Sequence, residues 1–260
     1  MIISIFNQKG GVAKTTTTTN LAGALAEKQK KVLIIDLDPQ ANSTNALGID
    51  DESLDKSIYD LLQIRDKKQL KKETILEFIH KTSFNIDILP SDINLAEAEQ
   101  TLSSAVTREM ILSKILVFIK DEYDYILIDC PPSLGLLSIN ALAASNYLII
   151  PIYPSYFSVK GLKQLLRTFN IVKDNLNPDL DIMGVILTKY DQRLSRHREI
   201  KDNIESLQTF KGKVFKNPIR INAEIEKAQD HQMPINYYNR ECNGFIDYMN
   251  LADEVINYGR

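Results

Sequence analysis

The chain of 260 residues carries a formal net charge of −3, with 44% hydrophobic and 25% charged residues, which is ordinary for a folded soluble protein with a sizeable core and argues against a surface coated in basic charge. Apolar runs such as "VLIID" and "YLIIPIY" are far shorter than the roughly 20 residues that cross a bilayer, and Met1 leads straight into "IISIF" with no basic n-region, so the cytoplasm is the expected location. Cys130 and Cys242 lie far apart with no C-x-x-C, so neither a disulfide framework nor a one-chain zinc or iron-sulfur site is indicated and packing is the expected role of both.

The first expected strand, "IISIF" (2–6), runs directly into "NQKGGVAKT" (7–15) and then into a helical pattern from Thr15 to Lys28, with Leu21, Leu25 and alanines on one face. In that setting Gly10 and Gly11 let backbone N–H groups turn inward around an anion. The helix start adds positive potential, Lys14 supplies a point charge, and the Thr15 hydroxyl can hold magnesium. The spacing departs from G-x-x-x-x-G-K-[ST], because the two glycine positions hold Gln8 and Ala13. The second expected strand, "KVLIID" (31–36), continues into "LIIDLDPQAN" (33–42), whose alternation puts Asp36 and Asp38 on the same side of the chain.

Residues 39–110 are the least regular stretch, read as a surface lobe of loop and short helices that also holds the strand "NIDILP" (85–90). Within it "RDKKQLKK" (65–72) reads as a solvated helix face. A helix is expected over Ile111 to Ile119, then the strand "YDYILID" (123–129), which ends on Asp129. One acid at a strand end is as often a turn or capping residue. Three acids together with a lysine loop point instead to magnesium and a positioned attacking water. There follow "NYLIIPIY" (146–153), a helix from Val159 to Leu176 with Leu162, Leu165, Leu166, Phe169 and Ile171 on its apolar face, "DIMGVILTKY" (181–190) and "GKVFKNPI" (212–219). Buried strands alternating with helices predict a doubly wound α/β domain over 1–260, its mostly parallel sheet covered on both faces. From Lys189 to Arg220 nine Lys or Arg stand against four acids, a local basic patch on an acidic chain.

"KGGVAKTT" resembles the deviant Walker A motif, xKGGxxK[ST], of the ParA/MinD superfamily of P-loop ATPases. "DLDPQ" resembles its A′ motif and "LIDCPPSLG" its Walker B strand. Further similar stretches run almost end to end: "LPS" (89–91), "PSYFSVKGL" (154–162), "GVILTKYD" (184–191), "IRINAEIEKAQ" (219–229) and "GFIDYMNLADEV" (244–255). The chromosomal-type ParA group, also called Soj, is the branch it resembles most.

The resemblance implies two ATP molecules sandwiched between two subunits, with Mg2+. Lys9 matches the signature lysine that reaches the partner's phosphates. Gly10, Gly11, Val12 and Ala13 match the loop backbone, Lys14 the lysine on the β- and γ-phosphates, Thr15 the magnesium ligand and Thr16 the α-phosphate contact. Asp38 matches the residue that positions or activates the hydrolytic water, Asp36 supports the magnesium shell, Asp129 matches the Walker B aspartate, and Asn222 aligns with the reader of adenine. ATP then acts as a dimerisation switch, since only its γ-phosphate holds two cations at the interface.

The implied output is partitioning of a chromosome or plasmid: the ATP-bound homodimer coats nucleoid DNA without sequence preference, and a ParB-type partner triggers slow hydrolysis and release. A dimer doubles each basic patch, and Arg193, Arg196, Arg198, Lys216, Arg220 and Lys227 are the candidate DNA contacts. One departure is "IRINAEI", with Glu224 where related chains often carry a second arginine in "PRNVRL". The alternatives are a ParA-like positioning ATPase with a protein cargo and a MinD-like membrane-associated ATPase. The tail "LADEVINYGR" disfavours the latter, because it reads as a last packing helix and not a basic amphipathic anchor. An amide ligase is expected to share the lysine loop but not the full-length match, and with the first expected strand beginning at Ile2 no preceding helix-turn-helix and no sequence-specific operator binding are expected.

Overall fold

A computed structural model describes residues 1–64 and 68–259, apart from the side chains of 156–160. The apolar runs become β1 (Ile2–Ile5), β2 (Val32–Asp36), β4 (Ile86–Leu89), β5 (Tyr125–Asp129), β6 (Tyr147–Ile152) and β7 (Asp181–Leu187). With β3 (His80–Lys81) they form one sheet in the order β3-β4-β2-β5-β1-β6-β7. Every pair is parallel except β3 with β4. The two-residue β3, which the sequence reading did not include, closes that edge with a His and a Lys, a short charged strand of the kind that discourages further pairing.

The register sets up the site. Asp129 at the end of β5 lies level with Asp36 on β2 and with Ile5 on β1, so both acids reach the carboxyl edge of the sheet where β1 enters the glycine loop.

The helices are α1 (Lys14–Glu27), α2 (Asn42–Asn45), α3 (Ile58–Gln63), α4 (Lys72–Leu76), α5 (Ala98–Thr101), α6 (Ile111–Leu116), α7 (Leu136–Ala144), α8 (Tyr156–Asn175), α9 (Ser195–Ser206), α10 (Ala223–Asp230), α11 (Ile235–Tyr238) and α12 (Asn243–Ile256). One face of the sheet packs against α1 and α10 to α12 through Leu21, Leu25, Ile225, Tyr248 and Leu251. The other packs against α6 to α9 through Leu112, Leu137, Leu162 and Ile204. The same core takes in Ile58, Leu61, Leu95 and Leu102 from the stretch 39–110, so its short helices bury their apolar faces against the sheet's own helices. Five threonines open α1, poor helix formers by their β-branching. Thr18 and Thr19 satisfy their buried hydroxyls on the carbonyls of Lys14 and Thr15 one turn back.

Several sequence expectations change. "GKVFKNPI" is no strand: an isolated bridge between Val214 and Val185 and a bond from the Ile219 N–H to the Leu187 carbonyl tie it to β7. The Glu254 carboxylate on α12 takes the N–H groups of Lys216 and Asn217 at 2.9 and 3.2 Å, and Pro218 has none, so the ladder is broken across these three residues. The helix at 111 stops at Leu116. On α8 the buried positions are Leu162, Leu165, Phe169 and Val172, while Ile171 is exposed. Of "RDKKQLKK", residues 65–67 lie outside the described residues, and 68–71 form a turn leading into α4, not a helix face.

Candidate active site

The loop between β1 and α1 adopts left-handed backbone at Gly11 (φ 71) and again at Ala13 (φ 66, ψ 39), immediately before the first residue of α1. Such a conformation costs a non-glycine residue about 1–2 kcal/mol. Several bonds hold the loop in place against that cost. Asn7 donates to the Pro151 carbonyl at 2.8 Å and accepts the Lys9 N–H at 3.0 Å, and the Thr188 hydroxyl donates to the Val12 carbonyl at 3.0 Å. Gln8, in the first glycine position, donates to the Gly161 carbonyl on α8 at 2.8 Å. It thus anchors the loop to α8.

Lys14 is the first residue of α1 and nearly buried, its ammonium 3.5 Å from the Lys9 carbonyl. Burial lowers its pKa, and the carboxylates of Asp129 and Asp38 oppose that shift. Asp129 accepts the hydroxyls of Thr15 and Ser43, each at 2.7 Å, and the Thr18 hydroxyl, which donates to the Lys14 carbonyl, lies 3.4 Å away. Asp36 accepts both the N–H and the hydroxyl of Thr44, at 2.9 and 2.8 Å, together with the Asp38 N–H at 3.1 Å. Burial, with the Asp129 charge added at Asp36, holds these two fully buried carboxyls above the usual range. Two such acids meeting a threonine hydroxyl beneath a lysine form a set of hard oxygen donors, and a divalent cation would relieve their repulsion. Among the described residues no three His, Cys, Asp or Glu gather as a metal cage. Magnesium in a phosphate loop takes one or two protein oxygens and completes its octahedron with phosphate and water.

A cavity of about 760 Å³ opens beside this edge, lined by Gly10, Ala13, Lys14, Thr16, Asp38 and Asn222 among others. Asp38, nearly buried, accepts the Gln40 N–H at 3.0 Å. Asn222 caps α10 through the Glu224 N–H at 2.9 Å. Gly10, Gly11, Thr15 and Thr16 line the same cavity, Asp129 meets it through Thr15, and Asp36 lies behind it. Four of the nucleotide-site candidates do not line it: Asp129 and Asp36, which reach it only indirectly, and Val12 and Lys9. Val12 turns into the core, and Lys9 extends to the β6–α8 connection, donating to the Ser155 hydroxyl at 2.8 Å with its ammonium 6.0 Å from the Tyr153 ring centre. The sequence reading missed Ser43 and Thr44, which fix the two acids, and Gln229, which bonds Thr16. "NST" directly after "DLDPQA" was the local signal for the first two.

A family model described as an AAA domain matches residues 1–182. Over 259 residues the chain is 41% identical to the sporulation initiation inhibitor protein Soj of Bacillus subtilis (strain 168), covering 99% of both proteins. The chain belongs to the ParA/MinD superfamily of deviant Walker A ATPases. It is also 38% identical over 256 residues to the chromosome partitioning protein ParA of Myxococcus xanthus (strain DK1622), covering 98% of this chain and 87% of that protein. Among solved structures, cobyrinic acid a,c-diamide synthase from Mycobacterium smegmatis with bound ADP and magnesium superposes with a TM-score of 0.84 at 32% identity, over 98% of this chain and 93% of that one. That match corrects one expectation. A protein named for amide synthesis resembles this superfamily member from end to end, so length of match alone does not set the two chemistries apart.

Within this ParA/MinD-superfamily fold, the six candidate DNA contacts divide. Arg193 pairs with Asp191 at 2.7 Å, Lys227 with Glu224 at 2.7 Å, and Arg220 with the buried Asp247 at 2.6 Å. Arg220 is thereby tied to α12. Arg196, Arg198 and Lys216 are exposed, and none of the three makes an ion pair among the described residues. No described helix is long and apolar enough to cross a membrane, and α12 buries Tyr248, Leu251, Ala252 and Val255 as a packing helix.

Proposed function

We propose that this ParA/MinD-superfamily chain is a Mg2+-dependent ATPase of the Soj/ParA type that partitions chromosomal or plasmid DNA. The observation that carries the reading is the gathering of Lys14, Thr15 and Asp38 in the wall of one cavity of about 760 Å³, with Asp129 bonded to Thr15 behind it, in a chain 41% identical to Soj over 259 residues. Lys14 and the loop N–H groups hold the phosphates, and the Thr16 hydroxyl takes the α-phosphate. Thr15 and Asp129, with Asp36 behind them, hold the cation. Bound there, Mg2+ supplies charge neutralisation at the phosphate oxygens. Asp38 orients the attacking water, and Asn222 faces the base. Catalysis is then mostly positioning and electrostatics, with little covalent work for the protein.

Lys9 completes the site of a second subunit. Its ammonium, bonded to the Ser155 hydroxyl outside its own cavity, would exchange that bond for a partner's phosphates. Two lysines of different subunits meet only where a γ-phosphate supplies enough negative charge, which makes dimerisation the readout of ATP. The dimer doubles the exposed Arg196, Arg198 and Lys216, enough phosphate contacts to hold DNA without sequence preference at nucleoid concentrations. Partner-stimulated hydrolysis, by a centromere-binding protein of the ParB type, then releases it.

Sedimentation velocity with ATP, ADP and no nucleotide tests the switch. Wild type is expected to dimerise with ATP alone, and Lys9→Ala to stay monomeric with all three. ATP-dependent dimers of Lys9→Ala would overturn the shared-site assignment.

A further inference from the structure

The Thr16 hydroxyl lies in the cavity wall with an unusual set of neighbours. Thr18 and Thr19 spend their protons on carbonyls one turn back along α1. For Thr16 the corresponding carbonyl is that of Val12, which already accepts the Thr188 hydroxyl at 3.0 Å. From α10, 213 residues away in the chain, the Gln229 amide donates to Thr16 Oγ1 at 2.9 Å. A hydroxyl that accepts such a bond has its own proton to give elsewhere, and no described residue accepts it. Both side chains line the nucleotide cavity. The turn carrying Thr16 is also fixed from the same side. Asn20 donates to the Thr16 carbonyl at 2.7 Å and accepts the Ile235 N–H at 2.7 Å, five residues beyond the end of α10.

We propose that Gln229 is a positioning residue for nucleotide binding: by donating to Thr16 Oγ1 it turns the Thr16 proton into the cavity, ready to bond an anionic α-phosphate oxygen. This rests on the assignment of Thr16 to the α-phosphate. The hydroxyl is then a preset donor, with no competing intrahelical bond to break when nucleotide arrives. Because the α-phosphate is common to ATP and ADP, Gln229 strengthens binding of both and does not set the discrimination between them. α10 carries both Asn222 at its N-cap and Gln229 two turns later, so one short helix couples the base end of the cavity to the phosphate end.

The test is a double-mutant cycle on Mg-ADP affinity, read by calorimetric titration of Thr16→Val, Gln229→Leu and the double variant. Thermal unfolding without nucleotide checks each fold. Thr16→Val is expected to weaken ADP about tenfold and Gln229→Leu roughly three- to tenfold, with the double variant no weaker than Thr16→Val alone. Gln229→Glu, which can only accept, draws the Thr16 proton to itself and is expected to bind ADP more weakly than Gln229→Leu. It also carries the test should Gln229→Leu fail to fold. Unchanged affinity in Thr16→Val would overturn the α-phosphate assignment and this inference with it. A loss in Thr16→Val with none in Gln229→Leu, a full additive loss in the double variant, or wild-type affinity in Gln229→Glu would overturn the inference alone.

Discussion

Ala13 holds a left-handed backbone that glycine adopts freely. Removing its Cβ relieves about 1–2 kcal/mol of strain, against which glycine loses roughly 0.5–1 kcal/mol more backbone freedom on folding. The terms nearly cancel, so Ala13→Gly is expected to alter ATP affinity and turnover modestly. A change above about a hundredfold, roughly 2.7 kcal/mol, would show that this alanine governs the site. Asp38 lies in the cavity wall beside Lys14 and Thr15, the proposed phosphate and cation contacts. Asp38→Ala is therefore expected to bind ATP and dimerise yet lose hydrolysis, and normal phosphate release by that variant would remove Asp38 from water positioning.

The buried carboxyls of Asp36 and Asp129 both hold protons to higher pH than in an unfolded chain. Above the ordinary Asp range, near about 3.9, the unfolded chain binds fewer protons than the folded one, so this pair costs the cation-free protein stability as pH rises. Asp36→Asn removes the repulsion at its source. Urea midpoints measured in chelator at about pH 5 and about pH 8 are expected to fall more in wild type than in Asp36→Asn. Equal falls would mean the pair carries no such linkage.

At the scale of elements, the sequence made the phosphate loop and both acidic strand ends legible because each depends on contiguous residues: glycines beside a lysine, and acids closing apolar runs. What it could not make legible are bonds across the chain. The segment "GKVFKNPI" has strand-forming residues, and only the folded arrangement brings Glu254 of α12 onto the N–H groups of Lys216 and Asn217. Glu254→Ala is expected to destabilise the fold by about 1–2 kcal/mol in urea unfolding while leaving ATP affinity unchanged. Loss of nucleotide binding with an intact fold would place that segment in the site instead. The Gln229 to Thr16 contact was hidden for the same reason, since neither residue marks the other in sequence.

For the whole molecule, the parallel sheet and its two helical layers followed from the alternation of buried strands and amphipathic helices, whereas the basic patch was overcounted. Charge counts along the chain cannot register that Asp191, Glu224 and Asp247 already engage Arg193, Lys227 and Arg220. With a net charge of −3 and three unpaired candidates per subunit, a monomer has too few phosphate contacts to hold DNA against salt. The proposed nucleotide-driven dimer would double those contacts. The most direct measurement is retention of the protein on random-sequence duplex DNA with ATP, with ADP and with no nucleotide, across rising salt. The expected result is retention with ATP alone, falling steeply as salt rises. Equal retention with ATP and ADP would contradict a switch in which ATP assembles the DNA-binding form.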